Sequence, residues 1–176
     1  MVRMRSIPVM EKKVSARLEA DQETAWRAFL KAHALLTRQL DRDLRACCQM
    51  TLVTYDALVQ LNEAPQRQLR ISELADALVH SRSGLTRIVD NLEKAGHIRR
   101  ERDQSDRRAW IITLTPHGVA ALRTAWRTHV QGIVRHFASY LTDTQARTVT
   151  KTFRAIAADL APDQLGLTTS QRKDTP

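Results

Sequence analysis

The chain has few of the residues that interrupt regular structure and few that build chemical centres. Among its 176 residues are only 5 glycines, 5 prolines and 2 cysteines, and aromatic residues make up 5%. So little glycine and proline favours a mostly helical protein. No apolar run approaches the roughly 18 residues of a membrane span, and the segment 1–13 lacks the apolar centre of a signal peptide. We therefore expect a cytoplasmic protein with no membrane partner.

The sequence signatures of enzymes are also missing. We find no glycine-rich phosphate loop, nucleophile elbow or metal-ligand spacing, so we predict no catalytic residue, no metal and no cofactor. His129 and His136 share a helical face, but no third ligand completes a metal site. The only cysteines, Cys47 and Cys48, are adjacent and cannot join distant parts of the chain. Redox sensing by this pair stays open as an alternative function.

The chain carries a strong excess of positive charge. Lysine and arginine number 28 against 19 acidic residues, for a formal net charge of +9. Binding to a polyanion is the commonest reason for such an excess, because each basic contact to a phosphate releases condensed counterions. Charge alone is equally compatible with a merely basic protein.

Helical periodicity predicts the elements of the first half of the chain. The predicted helices run from about Gln22 to Cys48, from a Thr51 cap to Pro65, from a Ser72 cap to about Leu78, and from Ser81 to Lys94.

The period changes in the second half. Residues 98–102 and 109–114 read as two strands of a hairpin with a polar turn between them, and the region of Leu69 offers a third strand. Thr115-Pro116 begins another helix, and a capping box at Thr142–Gln145 begins the last one. The fold class is mainly α (α+β winged helix).

We predict five segments. A winged helix-turn-helix domain at 50–115 is flanked by dimerisation helices at 21–49 and 116–161. A partly disordered extension occupies 1–20, and a disordered tail occupies 162–176.

The helix at 81–94 has the pattern of a DNA-recognition helix. Its inner face is Leu85, Ile88, Val89 and Leu92. Its outer face carries Arg82, Ser83, Thr86 and Arg87 near the helix start, where recognition helices contact base edges. Arginine can fork onto guanine, and serine and threonine can bond bases or phosphates. In isolation the same face also fits ordinary solvation.

The hairpin strengthens the DNA-binding interpretation. Five arginines cluster on it: Arg99, Arg100, Arg102, Arg107 and Arg108. A thin hairpin can push an arginine into a narrow minor groove, which concentrates negative potential. Asp106 is placed to brace the Arg108 guanidinium by a charge-assisted hydrogen bond.

Four stretches together resemble the multiple-antibiotic-resistance regulator (MarR) family. They are Leu74-Ala75, SRSGLTRIVDNLEKAG at 81–96, DQSDRRA at 103–109 and LTPHG at 114–118, and the resemblance extends over about 25–160. The resemblance implies that the major groove or its phosphates meet Ser81, Arg82, Ser83, Thr86 and Arg87. It also implies that Arg108, with Arg107, enters the minor groove and that Asp106 braces it.

The resemblance further implies a prokaryotic, nucleoid-associated homodimer that represses transcription. The repression would be relieved by a small molecule, often a phenolic or aromatic acid, or by oxidation. The apolar stripes of the outer helices, which exceed what one winged domain can bury, independently favour two-fold pairing. Two heads roughly 34–36 Å apart would contact a pseudo-palindromic operator. A non-specific architectural DNA-binding protein stays open as an alternative.

The predicted effector pocket lies between the dimer helices and the DNA-binding domain. Its expected lining is Trp26, His33, Leu36, Tyr55 and Asp56, with Arg45 nearby. Plain core packing is the alternative for Trp26 and His33. The urate-responsive branch of the family resembles this chain at Trp26 and Asp56, but it expects an arginine at Asp90, so urate is not inferred. The peroxide-sensing branch places its cysteine nearer the start of the first helix than Cys47.

Overall fold

A computed structural model describes residues 17–78, 84–106 and 108–161. Predictions that concern 1–16, 79–83, Arg107 and 162–176 lie outside the described residues. The elements are α1 (Ala20–Cys48), α2 (Leu52–Glu63), a 3-10 turn (Pro65–Arg67), β1 (Gln68–Arg70), α3 (Ile71–Ala77), α4 (Leu85–Lys94), β2 (Ile98–Arg102), β3 (Trp110–Leu114), α5 (Pro116–His136), a 3-10 turn (Ala138–Tyr140) and α6 (Asp143–Leu160). This mainly helical order with a small sheet confirms the predicted fold class.

The three strands form one antiparallel sheet in the order β1-β3-β2. Leu69 of β1 lies opposite Ile112 of β3, which confirms the third strand. Arg100 of β2 lies opposite the same Ile112 on the other side, which confirms the hairpin. Strand β3 begins at Trp110 rather than at the predicted Ala109. The reason is that the Ala109 N–H donates to the Asp106 carbonyl at 2.9 Å and so belongs to the turn.

The chain divides by its contacts into two units, with the boundary between Leu35 and Leu36. In the second unit, side chains of α2, α3, α4, the sheet and α5 share one hydrophobic core. The large side chains most completely removed from solvent are Leu44, Leu58, Leu61, Leu74, Val89, Leu92 and Ile112. The predicted inner face of the recognition helix is thus confirmed, with Ile88 packed at its edge.

Side-chain caps begin three helices where the sequence predicts them. Thr51 and Thr115 accept from the third backbone N–H beyond them, each at 3.0 Å, and Thr142 exchanges hydrogen bonds with Gln145. The predicted Ser72 cap is wrong, because α3 begins one residue earlier, at Ile71. Pairing of β1 with β3 holds the preceding residue, Arg70, in an extended conformation, and the Glu73 carboxylate accepts from its N–H at 2.7 Å.

The wing is joined tightly to the start of α5. The Thr115 hydroxyl donates to the Gly96 carbonyl oxygen at 2.7 Å. The backbone N–H of Thr115 donates to the His97 carbonyl oxygen at 3.0 Å. Gly96 has a φ of +71°, the left-handed conformation that glycine adopts without steric cost. A β-carbon at Gly118 would overlap the His97 carbonyl oxygen, so only glycine permits this close approach.

The outer helices of the second unit leave large apolar side chains in solvent. Helix α6 has no buried residue. Phe153, Ile156 and Leu160 on α6 are 45%, 49% and 76% exposed. On α5, Trp126 and Val134 are each 55% exposed. The apolar side chains of these faces are exposed to solvent, whereas those of the winged-domain core are buried.

The first unit presents a similar apolar face on the early part of α1. The rings of Trp26, Phe29 and His33 follow one another with centroids 5.9 Å apart at each step. Trp26 is 52% exposed and Leu30 is 46% exposed. An i, i+4 pair between Glu23 and Arg27, with an N–O distance of 2.7 Å, lies on the solvated surface of this helix.

Candidate nucleic-acid interface

Helix α4 turns one face to the core and the other to solvent. Leu85, Val89 and Leu92 are buried beneath it. Thr86 and Arg87, two of the predicted major-groove residues, are exposed at its amino-terminal end. The other three, Ser81, Arg82 and Ser83, lie outside the described residues.

A salt-bridge clamp fixes the wing to this helix. The Arg100 guanidinium on β2 donates to Asp90 at 2.7 Å and also to Glu93, both on α4. The hydrogen bond from Arg100 lowers the pKa of the Glu93 carboxyl, and the same bond raises the pKa of Arg100. Arg100 is one of the five clustered arginines of the hairpin, and the structure engages it inside the chain.

Two more wing arginines also have partners within the chain. Arg99 pairs with Glu101 at 3.0 Å, and the Arg102 guanidinium lies 4.0 Å from the centroid of the Trp110 ring, a cation–π distance. Arg108 lies exposed in the turn. Of the arginines at the tip that the structure describes, Arg108 is thus the one best presented to a ligand.

Asp106 forms a hydrogen bond with Arg108 that differs from the predicted one. Its carboxylate accepts from the backbone N–H of Arg108 at 2.9 Å, rather than from the guanidinium. This Asx-type hydrogen bond shapes the turn and leaves the guanidinium available. The physical reason is proximity, since a carboxylate two residues upstream reaches the backbone amide more easily than the end of a long side chain.

A second clamp, which the sequence analysis missed, anchors the other side of the wing. Asp103 is only 6% exposed and accepts from Arg70 at 2.6 and 2.9 Å and from the N–H and hydroxyl of Ser105 at 2.8 and 2.7 Å. The Ser105 hydrogen bonds, aided by Arg70, lower the pKa of Asp103 to about 2. The Asp-x-Ser spacing suggests a local turn, but nothing local points to Arg70, which is 33 residues away.

The residues predicted to line an effector pocket have different environments. Tyr55 is 2% exposed, and its ring packs 4.5 Å from that of His129. Burial raises the pKa of Tyr55 and lowers that of His129. Leu36 and Asp56 are half-buried, and Trp26 and His33 are exposed. Tyr55 thus belongs to the core, and a ligand-binding role for the five residues stays a prediction.

The remaining candidates are the cysteines and the paired histidines. Cys47 and Cys48 are bonded to each other at the end of α1, and the Thr128 hydroxyl donates to Cys47 Sγ at 2.9 Å. The Nε2 atom of His136 lies 3.8 Å from the Oδ2 atom of Asp43. Within 17–78, 84–106 and 108–161 no three His, Cys, Asp or Glu side chains are grouped to hold a metal ion. Nor is any helix in those ranges both long and apolar enough to cross a bilayer.

Comparison with known proteins matches this geometry to one family. A MarR family model matches residues 49–109. Sco3205, a MarR family regulator from Streptomyces coelicolor solved in complex with DNA, has 35% identity and a TM-score of 0.79 over 89% of this chain and 98% of its own. The chain belongs to the MarR family. The relatives that the chain matches are named as transcription regulators, and Sco3205 was solved with DNA.

Two further comparisons name transcription regulators. AbsC, also from S. coelicolor, has 34% identity and a TM-score of 0.75 over 83% of this chain and 98% of its own. The transcriptional repressor MprA of Escherichia coli is 42% identical over 67 residues, which are 38% of each protein. This chain therefore spans about two fifths of the length of the curated relatives it matches.

Proposed function

We propose that this MarR-family protein is a homodimeric repressor that binds a pseudo-palindromic operator and is released by a small molecule. The observation that carries the proposal is the joint placement of α4 and the wing. The Arg100 clamp holds the two elements together, while Arg87 and Arg108 stay exposed. A rigid pair of this kind can contact a major groove and the neighbouring minor groove at once.

In this proposal α4 enters the major groove with its amino-terminal end. The residues assigned there are Ser81, Arg82, Ser83, Thr86 and Arg87. The wing would lie along the backbone, with Arg108 and Arg107 toward the minor groove and Asp106 shaping the turn. Arg87 and Arg108 supply positive charge, and the net charge of +9 favours approach to DNA.

Exposed apolar faces support the dimer. Phe153, Ile156 and Leu160 stand on a helix with no buried residue, and α5 exposes Trp126. Each unit of the chain presents such a face, and a second copy would remove these faces from water. Two-fold symmetry would then place two recognition helices on one side of the operator.

Support for repression comes from the name of a relative. MprA, which is 42% identical to this chain over 67 residues, is named a transcriptional repressor. The effector would be a small aromatic or phenolic compound, and the residues first predicted for it are Trp26, His33, Leu36, Tyr55 and Asp56. The redox alternative rests on the Cys47–Cys48 pair, and it requires operator affinity to change when the pair is reduced.

The test is operator binding measured against salt. Footprinting on the upstream region of the protein's own gene would locate the site, and fluorescence anisotropy would give its affinity. A regulator should prefer this site over random duplex by at least about 1,000-fold, whereas an architectural protein should show no such ratio.

The variant Arg87→Ala then tests the assignment of α4. If Arg87 contacts phosphate, binding should weaken on every sequence, and the slope of log K against log salt should fall by about one. Lys151→Ala, an exposed change on α6, should alter neither. An unchanged affinity and slope in Arg87→Ala would remove Arg87 from the interface.

A further inference from the structure

The wing carries a row of side-chain pairs on one of its faces. Residues directly opposite each other in an antiparallel ladder place their side chains on the same face of the sheet, and so does every second residue along a strand. The pairs in this row are Ile98 with Leu114, Arg100 with Ile112, and Arg102 with Trp110. Because Arg100 binds carboxylates of α4, this face of the wing is the one turned toward α4.

The row ends near the wing tip in a pair that is open to solvent. The apolar members further back, Ile98, Ile112 and Leu114, are buried. Trp110 is 37% exposed, and Arg102 opposite it is exposed as well. We call these two residues the outer pair. Neither belongs to the hydrophobic core of the described chain, so core packing does not explain an aromatic ring at this position.

The two side chains of the outer pair are stacked on each other. The guanidinium carbon of Arg102 lies 4.0 Å from the centroid of the Trp110 ring. A ring contact occupies the flat face of a guanidinium, whereas its hydrogen bonds are made at the edge. Stacking also fixes the orientation of that edge before a ligand arrives. Planar, bidentate recognition of a phosphate needs a guanidinium that is oriented in this way.

The outer pair lies on the wing between two features of the proposed DNA surface. On one side is the Arg100 clamp to α4, and on the other is Arg108, which is exposed in the turn two residues before Trp110. If α4 occupies a major groove and the turn meets the adjacent minor groove, a phosphodiester backbone runs between them. The outer pair is on the side of the wing that faces this backbone.

We propose that Arg102, oriented by Trp110, contacts the phosphate backbone between the two grooves. Trp110 is a positioning residue, because its ring holds the guanidinium that meets the phosphate. A phosphate contact carries no base sequence information, so it serves an operator and a random duplex alike. This inference rests on the proposed DNA-binding function, but it depends neither on repression nor on an effector.

A protein partner is the competing occupant of the outer pair. A protein surface packed over Trp110 would also take the Arg102 guanidinium out of water, which is costly unless that surface supplies a carboxylate. A phosphate provides the anion directly, and Arg108 adds a second exposed cation near the same pair. DNA is therefore the occupant that the charges favour, and oligomeric state is measured alongside DNA binding.

The test is duplex binding by the full chain over a range of salt concentrations, followed by fluorescence anisotropy. The probes are the footprinted operator and a random duplex of equal length. Arg102→Gln should weaken binding to both by about tenfold, and log K should become less steep against log salt by about one. Arg99→Gln removes the same charge from an exposed position on the opposite face of β2, and it should leave the steepness unchanged.

Substitutions of Trp110 separate positioning from a general effect on the wing. Trp110→Val keeps a residue that favours strands but removes the ring. It should weaken binding to both duplexes by at least about threefold and move the salt dependence toward that of Arg102→Gln. Trp110→Phe keeps an aromatic face and should retain most of the affinity. Adding Trp110→Val to Arg102→Gln should weaken binding little further, because both residues act through one contact.

The outcomes distinguish the backbone contact from the proposed regulatory function. Thermal unfolding should show that the variants are folded, and sedimentation should show the wild-type oligomeric state. The inference is overturned if Arg102→Gln binds like the wild type, if Arg99→Gln loses as much, if Trp110→Phe is no better than Trp110→Val, or if a Trp110 variant alters the oligomeric state.

A wild type that does not prefer the operator would contradict the regulatory function alone, provided that Arg102→Gln still weakens binding to the random duplex. A wild type that binds the operator selectively, with no loss in Arg102→Gln, would contradict the backbone contact alone. Failure of the wild type to bind either duplex would overturn both.

Discussion

The winged domain and the outer helices differ in how far their apolar side chains are buried. Beneath α4 and the sheet, Val89, Leu92 and Ile112 are almost fully buried. Arg70 and Arg100 are engaged by carboxylates of the same chain. On α6 every residue is accessible, including Phe153 and Ile156. The winged domain is thus complete within one chain, whereas the outer helices present surfaces that a partner would complete.

The two salt-bridge clamps show why completeness matters for recognition. Arg100 joins the wing to α4, and Arg70 joins it to the strand before α3. A wing held on both sides keeps its tip in a constant position relative to α4. Rigid supporting contacts of this kind allow two elements to meet two grooves in register.

The largest expected effect is a loss of stability when a buried core residue of the winged domain is truncated. Leu92→Ala should lower the free energy of unfolding by about 2–5 kcal/mol, because Leu92 is only 1% exposed and its removal leaves a cavity. Chemical denaturation at several protein concentrations measures this loss, which should not depend on concentration. Leu160→Ala, 76% exposed, is the matched control and should cost much less in dilute protein. A loss below about 1 kcal/mol for Leu92→Ala would contradict the comparison.

A charge on the exposed apolar face should separate the two copies. Ile156→Asp should weaken dimerisation by about 1.5–3 kcal/mol, which is the value of one buried aliphatic side chain. Sedimentation equilibrium measures the dissociation constant. Lys151→Asp changes an exposed polar position on the same helix and should leave it nearly unchanged. Equal behaviour of the two variants would mean that α6 does not form the interface.

The wing tip should affect DNA affinity without affecting assembly. Arg108→Ala should weaken operator binding by about 1–3 kcal/mol while the dimer stays intact. Anisotropy with the footprinted operator measures the first quantity and sedimentation the second. Glu101→Gln, an exposed change elsewhere on the wing, serves as the control. If Arg108→Ala binds like the wild type, the minor-groove role is wrong.

The smallest effect concerns pH and the Asp103 clamp. Because its pKa falls from 3.8 to about 2 on folding, the Asp103 carboxylate stabilises the fold above about pH 4, and this contribution is lost as the pH drops toward 2. Asp103→Asn should lower the Tm at pH 7 and reduce the Tm difference between pH 4 and pH 2. Asp106→Asn, in the same turn, is the control. Identical pH profiles for Asp103→Asn and the wild type would refute the clamp.

Much of the fold was predictable because its signals are local. Thr115-Pro116, the Thr142–Gln145 box and the polar turn after Arg102 each specify a boundary through neighbouring residues. The inner face of α4 follows from helical spacing alone. The Ser72 cap was mistaken because the pairing of β1 with β3 determines where α3 begins, and that pairing joins residues more than forty positions apart.

The sequence does not distinguish the individual wing arginines, because their partners are distant in the chain. Five wing arginines look equivalent along the chain, yet Arg100 faces Asp90 and Glu93, and Arg102 lies on Trp110. Their difference depends on which face of β2 each occupies and on the helix packed against it.

The amino-acid sequence by itself determined the class of this protein, the order of its elements and the outward face of its recognition helix. Helical periodicity, caps and turns depend on residues close together in the chain, so they can be predicted without the tertiary structure. Only the tertiary structure decided which of the described arginines are engaged inside the chain and which stay exposed. Ion pairing and cavity formation join residues that are far apart in the chain, and packing alone brings them together.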